Sequence, residues 1–182
     1  MATNMISRTM HDVGLALWAG GSTMGAVGVN GATNAVEPTE RLKVAGAGWS
    51  RWQPAHAAAI AAYGLGSIGL TRANGNRMRM QDGVRTLAMA KAAVTAAAIA
   101  ADAYATFLGR RAGQAGSTPV GSATTSVEET PAELRSTLKR LRVVQWAVPA
   151  LTGALVVLSA QMGEQQRPSE QLRGFGRRLL RR

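Results

Sequence analysis

The sequence contains no cysteine. That excludes a disulfide framework, a thiolate metal site and a cysteine nucleophile. Aromatic residues make up only 4% of the chain, so its apolar stretches are built from Ala, Gly, Val and Leu. Lysine is nearly absent: Lys43, Lys91 and Lys139 stand alone among arginines. With so much Ala and Gly, this usage points to a GC-rich bacterial genome. The phosphate-binding Gly-x-x-x-x-Gly-Lys, the zinc-protease His-Glu-x-x-His and the Gly-x-Ser-x-Gly nucleophile turn are all missing. The closest carboxylate pair, Glu128 and Glu129, sits in a polar loop where solvation explains it. The chain is therefore expected to be non-enzymatic and to hold no cofactor.

What is present is charge kept apart from apolar sequence. The 182 residues carry a net charge of +11, and 46% of them are hydrophobic. The apolar residues collect in four blocks, roughly residues 12–35, 52–70, 84–108 and 143–162. Each approaches the ~20 residues a helix needs to cross ~30 Å of hydrocarbon. A soluble helix would show a charged face with a period near 3.6. From Leu87 onward the third block has only Lys91 and Asp102 as charges, and the fourth has none. The expected fold is all-α: a four-helix transmembrane bundle over residues 1–162, followed by a basic amphipathic tail over 163–182.

The connections differ in kind. Residues 37–51 read as a short polar link, broken at Pro38 and Thr39. Residues 71–85 contain Asn-Gly and Asp-Gly turn signals. Residues 109–130, rich in Gly, Ser and Thr, read as a mobile loop. Thr130, Pro131 and Glu133 then form a helix-start pattern with a capping box. That helix is expected to run on into the fourth span.

The tail sets Leu172, Phe175 and Leu179 among Arg173, Arg177, Arg178, Arg181 and Arg182. A basic amphipathic segment of this kind binds anionic headgroups on the cytoplasmic leaflet. Without interleaved aromatic platforms it does not suggest nucleic acid. The positive-inside rule then puts both termini in the cytoplasm and the protein in the inner membrane. Against this orientation, Arg110, Arg111, Arg135, Arg140 and Arg142 would lie outside. Small residues before Val36 resemble a signal cleavage site, but the basic region ahead of them is thin and the apolar run too long.

Glycine costs a soluble helix about 1 kcal/mol relative to alanine, yet the first block is full of it. Gly14, Gly21, Gly25 and Gly28 fall within a stripe of about 60° on a helix. Such a stripe forms a packing groove that lets another helix approach closely in lipid. Packing against a helix of the same chain is the favoured expectation; another membrane subunit or a second copy is the alternative.

Polar groups at membrane depth are functional candidates. An outer layer contains Asn30, Asn34, His56, Asp102 and Gln145; an inner one contains His11, Asp12, Lys91 and Gln161. A His56–Asp102 pair can fix an imidazole tautomer or relay a proton, but interfacial solvation and helix–helix hydrogen bonding are the favoured explanation of such residues near helix ends. Lys91 is expected to snorkel to the headgroups. His11 and His56 open antiparallel spans, so they do not share a haem. Met5, Met10, His11, Met78 and Met80 would share one side, a soft copper(I) donor set of low specificity; no metal is expected.

The stretch HDVGLALWAGG, followed by a polar link and ERLKVAGAGWSRW, resembles a group of small bacterial four-helix membrane proteins of unknown function. These are distantly similar to the membrane part of copper-resistance D proteins. The group often has a histidine at the start of its last span. Here that stretch reads Leu141-Arg142-Val143-Val144, which weakens any metal or haem role by analogy. The favoured expectation is an accessory or scaffolding subunit of a membrane complex. A small transport or ion-handling protein is the alternative, and a membrane redox or metal-handling subunit is a third reading.

Overall fold

Long runs of Ala and Leu, the strongest helix formers, leave little room for any other backbone conformation. The computed structural model describes residues 2–73 and 82–164, and within them the chain forms four long helices and no strand. Helix α1 spans Ala2–Met24 and continues through a π-helical stretch, Gly25–Val29, to a final 3₁₀ turn at Thr33–Ala35. Helices α2, α3 and α4 span Arg41–Ala73, Asp82–Gly113 and Ala132–Glu164. The tail arginines Arg173, Arg177, Arg178, Arg181 and Arg182, together with Met78 and Met80, lie outside the described residues.

The helices pack as two pairs, α1 with α2 and α3 with α4, joined through α1 against α4. The seam between α2 and α3 is the loosest of the four. One apolar core lies mid-bundle, where Trp18, Tyr63, Ala98 and Leu155 are fully covered. A second gathers Leu42, Ala112, Val120, Leu134 and Leu138 at one end.

That second core corrects two expectations. The link at residues 37–51 is mostly helix, since α2 already begins at Arg41. The loop at 109–130 is folded down as a cap, with Val120 and Thr130 buried. Arg41 Nη1 donates to the carbonyls of Val120 (3.1 Å) and Gly121 (2.5 Å). The Val120 amide donates to the Pro38 carbonyl, and the Ala123 amide to Thr33 Oγ1. The expected capping box does not form. Thr130 Oγ1 donates to the Pro119 carbonyl and accepts from the Val127 amide, while Glu133 pairs with Arg111. Both side chains serve the cap rather than the end of α4.

Helices α3 and α4 are long and apolar enough to cross a membrane. Their most apolar stretches are 11% and 22% buried, respectively, so they are not core helices sheltered within the chain. Helices α1 and α2, also expected as spans, do not reach that apolarity; glycine, serine and arginine dilute them.

Candidate functional site

The glycine stripe of α1 is filled from within the chain. At Gly14 a β-carbon would sit 2.5 Å from the Tyr63 amide nitrogen and 2.6 Å from the Ala59 carbonyl, so two backbones touch there. Gly66 of α2 makes the reciprocal approach, to the backbone of Ser7 and His11. Gly21 and Gly25 do something else: they seat the rings of Trp52 and Trp49. Gly28 faces only Met24 of its own helix, so it drops out of the groove.

The two seated indoles orient the polar groups beside them. Trp49 Nε1 donates to Asn30 Oδ1 (2.9 Å), and Asn30 Nδ2 donates to Gln145 Oε1 (2.6 Å), linking α2, α1 and α4. Gln145 Nε2 reaches Thr124 Oγ1 of the cap at 3.4 Å. Trp52 Nε1 donates to His56 Nδ1 at 3.0 Å. An indole N–H can only donate, so Nδ1 is an acceptor and the imidazole proton sits on Nε2. That nitrogen lies 3.0 Å from Asp102 Oδ1 of α3. The contact lacks hydrogen-bond alignment.

These groups surround a cavity of about 310 Å³ at the loose α2–α3 seam, below the cap. Asn30, His56, Asp102 and Gln145 all line it, together with Gln53, Thr106 and apolar walls that include Leu141 and Val148. Asn34 does not: it is exposed on the terminal 3₁₀ turn. Two prolines act at the same level. Pro54 and Pro149 lie inside α2 and α4. Each deprives the carbonyl four residues earlier of its helical donor. Those carbonyls belong to Ser50 and Gln145, two residues that line the cavity. The pattern of charged and amide side chains does not reveal these prolines and tryptophans; the signals for them are Trp49, Trp52, Pro54 and Pro149 themselves, each within four residues of a polar group on the cavity wall.

The inner layer also assembles, but differently from expectation. Lys91 does not snorkel outward. Its Nζ lies 2.6 Å from His11 Nε2 and 5.7 Å from the centre of the Tyr63 ring. His11 Nδ1 lies 2.6 Å from Asp12 Oδ1. Both imidazole nitrogens are therefore engaged, which removes His11 from the copper donor set; Met5 is exposed. Gln161 is exposed and takes no part. His11 packs beside Tyr63 and against Gly66 of α2, about 10–15 Å along that helix from His56. No family model, curated protein or solved structure matches the chain.

Proposed function

We propose that the chain is a four-span integral membrane protein that binds and handles a small solute in the α2–α3 cavity. The reading is non-catalytic. It corresponds to a transport or ion-handling protein rather than a scaffolding subunit. One observation carries it: His56, Asp102, Asn30 and Gln145, from four different helices, meet around a single cavity. The favoured scaffolding expectation drew on the glycine groove as a docking face, and that groove is occupied by Trp49, Trp52 and Tyr63 of the same chain.

Membrane insertion of the whole bundle is supported by apolar side chains exposed on every helix. They include Leu17 on α1, Leu65 and Ile68 on α2, Phe107 on α3, and Trp146 and Val157 on α4. An inner-membrane location with both termini cytoplasmic, and a tail held on anionic lipid, completes the reading. In that orientation several outward arginines hold the cap together. Arg41 binds loop carbonyls, Arg135 binds those of Glu128 and Thr130, and Arg111 pairs with Glu133. The resemblance to small four-helix bacterial membrane proteins carries no part of this reading, since architecture alone does not supply a function.

Native mass spectrometry after gentle extraction from native membranes tests the reading. The expected result is a lone or self-associated chain carrying a small-molecule adduct, lost when Ala105→Leu fills the cavity. A stoichiometric partner subunit with no adduct would overturn it in favour of the scaffold.

A further inference from the structure

We propose that the cavity takes a small organic cation with an apolar body, held by the Asp102 carboxylate. This rests on the solute-binding reading above and adds the chemical class of the solute. Because Trp52 donates to His56 Nδ1, the imidazole beside Asp102 is neutral. It brings no formal positive charge to a carboxylate only 3.0 Å away, and its N–H is not aligned on that oxygen. Arg110 is the remaining charged group on the cavity wall. It is exposed and lies about 12 Å further along α3, where solvent screens it.

Asp102 thus has no formal cation beside it, and its side chain, 17% exposed, faces a largely apolar chamber. A carboxylate in such surroundings is stabilised by a cation placed beside it. The walls select which kind. Ala26, Ala45, Leu141 and Val148 suit a hydrocarbon body, and Trp49 adds aromatic surface of the kind that ammonium groups favour. An anion would meet Asp102 at close range. A divalent metal would find one carboxylate, and no group of three or more His, Asp or Glu ligands exists among the described residues.

The test is calorimetric titration of the full-length protein in lipid nanodiscs, with empty nanodiscs as blank. Three aromatic probes of similar size differ in charge: benzyltrimethylammonium, neutral N,N-dimethylbenzamide and anionic benzenesulfonate. The cation is expected to bind at least about tenfold more tightly than the other two, a gap of about 1.4 kcal/mol. Asp102→Asn, isosteric and still folded by circular dichroism, is expected to erase that preference. Equal or tighter binding of the neutral or anionic probe by the wild-type protein overturns the cation assignment while leaving the solute-binding reading intact. So does a preference unchanged in Asp102→Asn. Binding of none of the three overturns both.

Discussion

Two seams of the bundle are built from small residues, and they behave in opposite ways. Between α1 and α2, Gly14 and Gly66 bring backbone against backbone, and the seam is closed. Between α2 and α3 the helices stay further apart: Gly46 on α2 and Ala105, Gly109, Ala112 and Gly113 on α3 line the space between them, and none of these three glycines has a neighbour within 4 Å of its would-be β-carbon. There the contacts are made by longer polar side chains: Tyr63 Oη with Thr95 Oγ1 at 2.8 Å, His56 with Asp102, and Gln53 with Thr106 at 3.4 Å. The closed seam is also what builds the open one, since Gly21 and Gly25 seat the two tryptophans that orient His56 and Asn30.

The largest effect is expected where the closed seam is broken. Gly14→Leu drives a side chain into the backbone of Tyr63 and Ala59, which cannot move aside as a side-chain tip can. Overpacking of this kind costs about 3 kcal/mol. Gly20→Leu, one turn and a half away, meets nothing within 4 Å and is the matched control. Thermal melts of the two variants in detergent should separate them clearly; equal melting would mean that α1 and α2 do not dock through Gly14.

Next in size is removal of the clamp above the open seam. Arg41→Ala takes away donors to Val36, Val120 and Gly121. Half-buried charged hydrogen bonds of this type contribute about 2 kcal/mol together. That corresponds to roughly 30-fold faster amide exchange at Val120 and Ala123, while exchange at Ala59 and Tyr63 in the closed seam stays slow. Uniform acceleration across both seams would show that the cap and the bundle open as one unit.

The four helices were legible because apolar blocks separated by charge report helix existence well. Their ends were not. Hydropathy registers which solvent a residue prefers, so α2 was expected to begin near Trp52 although Arg41 and Lys43 already lie on it. The cap was misread for a related reason. Its Gly, Ser and Thr composition is local, whereas the bonds that order it come from Arg41 and Thr33, far away in sequence. In the site, depth along each span was enough to group Asn30, His56, Asp102 and Gln145. Depth says nothing about rotation. The π-helical stretch and the 3₁₀ turn reset the face of α1 near its end, and Asn34 points elsewhere.

A smaller stability effect accompanies the conversion of the open seam into a closed one. Ala105→Leu places its added atoms in space that is already empty, so stability should change by less than about 1 kcal/mol. Binding of benzyltrimethylammonium should nevertheless fall at least about tenfold. If binding persisted with an unchanged melt, the solute would have to sit somewhere other than between α2 and α3.

The smallest effect belongs to a face that serves neither seam. Gly20 is exposed on α1 and has no neighbour within 4 Å, so its glycine does nothing that alanine would not do. Gly20→Ala removes backbone freedom from the unfolded chain and adds a methyl group to the outer surface. In water that substitution is worth up to about 1 kcal/mol, which sets a ceiling of about 2–4 °C on the rise in melting temperature for a chain of this length. The same change at Gly14 should lower the melting temperature, because the added carbon meets backbone on both sides. Opposite signs for one chemical substitution, on one helix, would separate glycines placed for close approach from those that are not. A rise at both positions would mean that α1 and α2 have room to separate, and that the contrast between the two seams is one of degree.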